Sequence, residues 1–235
     1  MQNLLTGKMR LKINDELGIK NDELKEVRFG DFCKIKKGSA ISFSGVTEGE
    51  YPVIAGGKTS PYSHNSFTHE NVITISASGA YAGFVAYHKN KIWASDCSVV
   101  EEKKGVSNIN YLYYLLLLKQ QLIYSLQAGG AQPHVFPKDI HNLSLIIHNS
   151  LKEQTAISQV LQAADKEIQL LKMKCDKLKE QKKGLMQVLL TGKKRLNQDL
   201  QDLKIYRINA VEHNLESPKN SESPNPNNNL EIPKI

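Results

Sequence analysis

Between Val27 and Asn149 the apolar residues fall in short runs separated by Gly, Ser, Asn and Pro: YPVIA from Tyr51, NVITIS from Asn71, GFVAYH from Gly83, KIWA from Lys91 and CSVV from Cys97. Runs this short, rich in β-branched and aromatic side chains and closed by turn formers, predict strands. NINYLYYLLLLKQQLIYSL predicts a buried helix from about Asn108 to Gln127. Its unbroken apolar part, Leu112 to Leu118, is far short of the roughly 20 residues that cross a bilayer, so no membrane association is expected. GGAQPH reads as a loop and LSLIIH from Leu143 as a closing strand. Together these elements predict an α+β domain in which a helix packs on a curled antiparallel or mixed sheet.

At Ser150 the pattern changes from period two to period three and a half. Ser150 and Glu153 have the S-x-x-E spacing of a capping box, in which the serine oxygen accepts from a first-turn amide and the glutamate reaches back to the cap amide. From Leu151 to Thr191 there is no proline and a single glycine, Gly184, while Gly192 stands where a left-handed residue would end the helix. Ile157, Leu161, Ala164, Ile168, Leu171, Cys175, Leu178, Leu185 and Leu189 recur four and three residues apart, with only Lys182 interrupting the stripe. A heptad stripe this long predicts a coiled coil. A helix of about 40 residues is roughly 60 Å long, longer than such a domain is wide, so it is expected to project and pair with another helix through these positions.

The chain begins MQNLLTGKMRL and repeats itself from Met186 as MQVLLTGKKRL, with nine of eleven positions identical. Lys12 to Lys25, after the first copy, is polar and reads as a connector. After the second copy the chain passes into SPKNSESPNPNNN, too polar to bury enough apolar surface to offset its ordering entropy, and disorder is expected there. The organisation expected is therefore 1–26 as a helix end and connector, 27–149 as the domain, 150–192 as the pairing helix and 193–235 as a polar tail.

Charge and chemistry narrow the function. Lys+Arg 31 against Asp+Glu 24 gives a net charge of +7, which favours a polyanionic partner. Cys33, Cys97 and Cys175 are odd in number and irregular in spacing, which fits neither a disulfide framework nor a zinc cluster and points to reducing cytosol. The first residues lack the apolar stretch of an export signal. AGGKTS at Ala55 fits only the end of a phosphate loop, because the first glycine of G-x-x-x-x-G-K-[ST] falls on Pro52. There is no H-E-x-x-H, C-x-x-C, glycine-rich S-adenosylmethionine loop or N/D-P-P-Y tetrad, so neither a catalytic residue, a metal nor a cofactor is expected of this chain by itself.

What remains is a set of polar, aromatic and basic loops whose glycines let amides approach phosphates and whose side chains offer partners to base edges. The candidate DNA contacts are Lys36, Lys37 and Ser39; Lys58, Thr59, Ser60, Tyr62, His64 and Asn65; Ser78 and Tyr81; and Gln132, His134 and Lys138. Plainer readings stand beside these: Lys36 and Lys37 as a solvated strand end, the Gly-Gly pairs as turns, and His64 and His134 as structural loop residues.

The segments PVIAGGKTSPYSHNSF, ITISASGAYAGFVAY, KIWASDCSVV, GGAQPHVFPKDIHNLSLIIHNSLKEQTAISQVL and LMQVLLTGKKRL, in this order of elements, resemble type I restriction-modification specificity subunits. The resemblance implies a sheet-rich target-recognition domain that reads one half of a bipartite site in double-stranded DNA, followed by a long projecting coiled-coil helix acting as spacer. It implies as partners modification (methyltransferase) subunits that methylate adenine, restriction (translocase and endonuclease) subunits, and a second specificity half or a second copy of the chain. It places the protein in the cytoplasm as a non-catalytic recognition subunit, and makes the repeated undecapeptide the end of a spacer helix. One recognition domain stands where such subunits have two, which leaves open a half-length subunit, the C-terminal half of a split gene, or a truncated inactive remnant. A coiled-coil adaptor with a protein-binding head is the rival from another class.

Overall fold

The computed structural model describes residues 1–9, 24–57 and 62–193, the Phe43 side chain excepted. Most of the expected connector, the expected tail beyond Lys193, and Lys58, Thr59 and Ser60 lie outside the described residues. The chain divides into two units, Met1–Leu170 and Leu171–Ile235.

The first unit opens with α1 (Gln2–Leu5), β1 (Leu24–Arg28), α2 (Phe29–Phe32) and β2 (Lys34–Lys37). It continues through β3 (Tyr51–Ile54), β4 (Ser63–His64), β5 (Val72–Ser76), β6 (Val85–His88), β7 (Trp93–Ala94) and β8 (Cys97–Glu101). Then come α3 (Ile109–Leu118), α4 (Gln120–Tyr124), α5 (Pro137–His141), β9 (Ser144–His148) and α6 (Leu151–Leu190), whose second half belongs to the second unit. The α+β architecture expected from the sequence is the one observed.

Three sheets carry the fold. The largest has the order β2-β8-β5-β6 and is antiparallel throughout. A smaller sheet, β4-β3-β7, joins β3 to β7 in parallel. β1 and β9 form an antiparallel ladder from Leu24↔His148 to Arg28↔Ser144. Every residue of β5 is buried, as a central strand covered on both faces must be. Its Ile73 and Ile75 enter the main core with Tyr111, Leu112, Leu115 and Leu116 of α3. Val72, on the opposite face, joins Ile92, Ala94, Cys97 and Val99 in a second cluster under the small sheet.

The expected helix from Asn108 to Gln127 is two helices, α3 and α4, meeting at Lys119. Gln120, at the break, turns its amide to the Gly83 carbonyl (2.7 Å) and accepts from the Val85 amide (3.2 Å), so tertiary bonds to β6 outweigh helical continuity. Asn108 caps α3 through bonds from the Asn110 and Tyr111 amides, at 3.0 and 3.1 Å. Pro137 begins α5, where its missing N–H is not needed. The short α1, α2, α5, β1, β2 and β4 were not separable from loop by periodicity.

The root of α6 is fixed by buried polar groups. Gln154 donates to the carbonyls of His148 (2.9 Å) and Val106 (3.1 Å) and accepts from the Asn108 amide (3.0 Å). The Tyr111 hydroxyl meets His148 Nδ1 at 2.9 Å and accepts from the His148 amide at 3.1 Å. Glu153 is buried beside them, its Oε1 4.0 Å from His148 Nε2. Tyr114 donates to Asp165 at 2.7 Å, tying α3 to the fourth turn of α6.

Candidate nucleic-acid interface

Two groups of loops hold the candidate contacts, and the Ser95–Asp96 link between β7 and β8 touches both. On one side, Gly38 packs so tightly that a Cβ there would lie 2.3 Å from the Ser95 carbonyl oxygen, and the Ser39 amide donates to Ala94 O at 2.8 Å. On the other, Ser78 Oγ donates to Asp96 Oδ2 and the Ala77 amide to Asp96 O (3.2 Å).

The first group surrounds Trp93. Its indole N–H donates to Ser39 O at 3.0 Å, and the His64 ring lies against it with centroids 4.3 Å apart. His64 is therefore buried, its Nδ1 accepting from the Ser66 amide at 2.9 Å, which places it in the packing of the loop and not among its exposed side chains, as the plainer of its two readings expects. Tyr62 and Asn65, which flank that strand, are exposed. Lys36 and Lys37 are exposed at the end of β2, with Lys36 Nζ 3.2 Å from Glu101 Oε2. His69 approaches the same carboxylate at 3.9 Å. Burial lowers the pKa of His69, Glu101 opposes that shift, and Lys36 adds to it. Phe67, with Lys91 Nζ 4.4 Å above its ring and Tyr51 beside it, belongs to this group although neither period nor motif singled it out.

The second group joins the loop after β5 to the loop before α5. The Gly79 amide donates to Pro133 O (3.1 Å), the Val135 amide to Ala77 O (2.9 Å), and His134 bridges both Ser78 and Ala128. Gly56 closes in from β3, since a Cβ on it would meet Ser78 O at 2.7 Å. The structure thus brings Ser78 and His134 together, holds the exposed Gln132 on the same loop and leaves Tyr81 exposed on the neighbouring one. His134 stacks on Phe136 at 6.2 Å and 17°, and Lys138 Nζ lies 5.7 Å over the same ring. Phe136 is exposed and central to this cluster; the only sequence signal for it was its place between two candidates.

Burial raises the thiol pKa of Cys33 well above its usual range and that of Cys97 to about 12, so both stay protonated. Among the described residues no three His, Cys, Asp or Glu side chains could hold a metal ion together, and no helix is long and apolar enough to cross a membrane.

On α6 the heptad stripe divides. Ile157 and Leu161 are buried in the main core, so their assignment to a pairing seam is corrected: they anchor the helix to its own domain, because α6 starts against α3. From Ala164 onward the stripe is exposed, through Ile168, Leu171, Cys175, Leu178, Leu185 and Leu189. In the second unit Leu178, Leu185, Met186, Leu189 and Leu190 line an open apolar groove.

The domain thus sets two groups of loops on either side of Ser95–Asp96 and roots a long helix whose apolar stripe is exposed from Ala164 onward. The chain belongs to the type I restriction modification DNA specificity domain family, whose sequence pattern matches residues 21–180. It is 29% identical over 181 residues to the type I restriction enzyme MjaVIII specificity subunit of Methanocaldococcus jannaschii, covering 72% of this chain and 42% of that protein. It is 31% identical over 98 residues to the putative MjaX specificity subunit of the same organism, covering 42% of this chain and 23% of that one. The fold is shared with the S subunit of a type I restriction-modification system from M. genitalium, at a TM-score of 0.61 and 20% identity over 87% of this chain and 53% of that one. It is shared too with a chain from a type I R-M system studied for complex assembly and conformational transition, at 0.56 and 19% over 72% and 45%. The chain spans about half the length of the relatives it matches.

Proposed function

We propose that this chain is a specificity subunit whose domain, residues 27–149, reads one half of a bipartite DNA site, and whose helix, residues 150–192, sets the distance to a second reader. The observation that carries this reading is the pinning of the Ser78 and His134 loops to each other by backbone bonds while Gln132 and Lys138 stay exposed beside them, and Lys36 and Lys37 do so on the other side of Ser95–Asp96. A rigid frame with adaptable donors at its edge is what base reading needs. The exposed stripe from Ala164 to Leu189 supports pairing of the helix with another of its kind, because a coil seam left in water forgoes about 25 cal/mol for each Å² of apolar surface it could bury. The chain does no chemistry in this reading. Modification subunits methylate adenine at the site it selects, restriction subunits cleave, and the whole acts in the cytoplasm.

Methylome sequencing of a host expressing the chain with a modification subunit tests the reading. Two copies paired through α6 should give an inverted repeat with a fixed central gap. An asymmetric bipartite motif would show that another specificity half is the partner, and absence of any new methylated motif would remove the DNA-reading role.

A further inference from the structure

Phe136 breaks the local rule of the helix it begins. It is the N-cap of α5, with φ −94° and ψ 144°, where a Ser, Thr, Asp or Asn oxygen would accept from a first-turn amide, and its own side chain caps nothing. A large apolar ring stands there instead, 45% exposed. The backbone on either side of it is fixed. Val135 and Ile140 are 1% and 0% exposed in the main core, the Val135 amide donates to Ala77 O at 2.9 Å, and the Phe136 carbonyl accepts from the Asp139 amide at 3.0 Å. Pro137 sets the φ of the first helical position. A rigid frame thus holds the ring out in solvent where a small polar cap would suit both the helix and the water. A local preference set aside in this way marks a contact to something outside the chain.

The surroundings of the ring say what it can meet. His134 stacks on it with centroids 6.2 Å apart and planes at 17°, and Lys138 Nζ lies 5.7 Å over its centroid. Both neighbours address the faces of the ring, which leaves its edge to the outside. That edge carries the positive end of the aromatic quadrupole. In the major groove thymine presents an acceptor, O4, beside the apolar C5-methyl; adenine and cytosine present an amino group, which a positive edge repels, and guanine presents acceptors without an apolar group. The exposed Gln132 on the same loop offers hydrogen bonds and Lys138 offers charge, but neither can recognise a methyl group.

We propose that Phe136 is a specificity-determining residue that reads the O4 and C5-methyl edge of one thymine in the half-site, with His134 fixing the tilt of its ring. This deepens the DNA-reading function proposed above and rests on it.

The test pairs a change in the protein with a change in the base. Phe136→Ser removes the ring and installs a good N-cap, so the variant should melt no lower than the parent. Binding of the full chain with a modification subunit is measured by competition on duplexes carrying the motif found by methylome sequencing, with each half-site thymine replaced in turn by deoxyuridine, which lacks only the methyl group. At one position the parent should bind the deoxyuridine duplex about fourfold more weakly, the factor for withdrawing one methyl group from burial, and Phe136→Ser should bind both duplexes alike. A parent indifferent to every replacement, a half-site without thymine, or a loss that persists undiminished in Phe136→Ser overturns the inference and leaves DNA reading standing. Loss of modification-subunit binding in Phe136→Ser with base selectivity intact makes the ring a protein contact and overturns the inference too. A parent that selects no duplex over any other removes the DNA-reading function and the role of Phe136 together.

Discussion

Replacing Ile157 and Ile168 separately by alanine should separate the two jobs that α6 performs with one heptad stripe. Ile157 is 2% exposed inside the main core, whereas Ile168, three turns on, is 49% exposed. Truncating a buried isoleucine to alanine costs about 2–5 kcal/mol in lost transfer energy and residual cavity. Taking about 3 kcal/mol, and a shift of about 2–4 °C per kcal/mol for a domain of this size, Ile157→Ala should lower Tm by about 6–12 °C. Ile168→Ala removes little buried surface in a single chain and gains helix propensity, so its effect should stay within about 0.5 kcal/mol. Trp93, the only tryptophan, lies in the domain, so its fluorescence follows domain unfolding while far-ultraviolet dichroism follows α6. Both melts belong at a protein concentration below the association range, because pairing would stabilise the folded chain by mass action. At high concentration the ranking should shift, with Ile168→Ala losing the concentration-dependent rise in Tm that Ile157→Ala retains. The reasoning fails if Ile157→Ala costs under about 1 kcal/mol, or if Ile168→Ala moves the Trp93 transition as far in dilute solution.

Three further outcomes are expected. Gln154→Leu should cost about 2–4 kcal/mol by urea denaturation, because it strips partners from the Asn108 amide and the Val106 and His148 carbonyls at once; a cost below 1 kcal/mol would mean that water replaces it. Burial lowers the pKa of His88, whose Nε2 meets Thr74 Oγ1 at 2.9 Å, so the unfolded chain binds the extra proton first and stability should fall as pH drops below about 6.5. His88→Gln should flatten that slope in melts taken stepwise down in pH. Lys36→Ala should weaken binding to all duplexes alike and reduce the salt slope by about one, with little change in fold stability since its bond to Glu101 is exposed; a change confined to one sequence would make Lys36 a base reader.

Much of the frame was legible because its signals are periodic. β3, β5, β6, β8 and β9 lie on the apolar runs that predicted them, and α6 ends within a residue of the position set by Gly192. The parts that were not legible are those decided by distant partners. Nothing local to Gln120 announces that its amide will bind Gly83 and break a helix. The heptad stripe shows that Ile157 and Ile168 face the same way, but which of them meets its own domain depends on where α3 lies. His64 looked like Asn65, a polar loop residue, until Trp93 came to rest on its ring from almost thirty residues away. Among the interface candidates, sequence supplied the chemistry of Ser78 and His134, and only the backbone ladder between their loops supplied their adjacency.

The ladder of β1 and β9 has a consequence in time. His148 follows its partner Leu24 by 124 residues, and Ser144 follows Arg28 by 116. At a synthesis rate of about 5–20 residues per second, β1 waits about 6–25 s after leaving the ribosome before its partner exists. The central sheet can form in that interval, since β2, β5, β6 and β8 are all made by Glu101. The domain is therefore closed last by the pair of strands that begins and ends it, and α6 acquires its root, His148 and Gln154 bound together, only at that closing step.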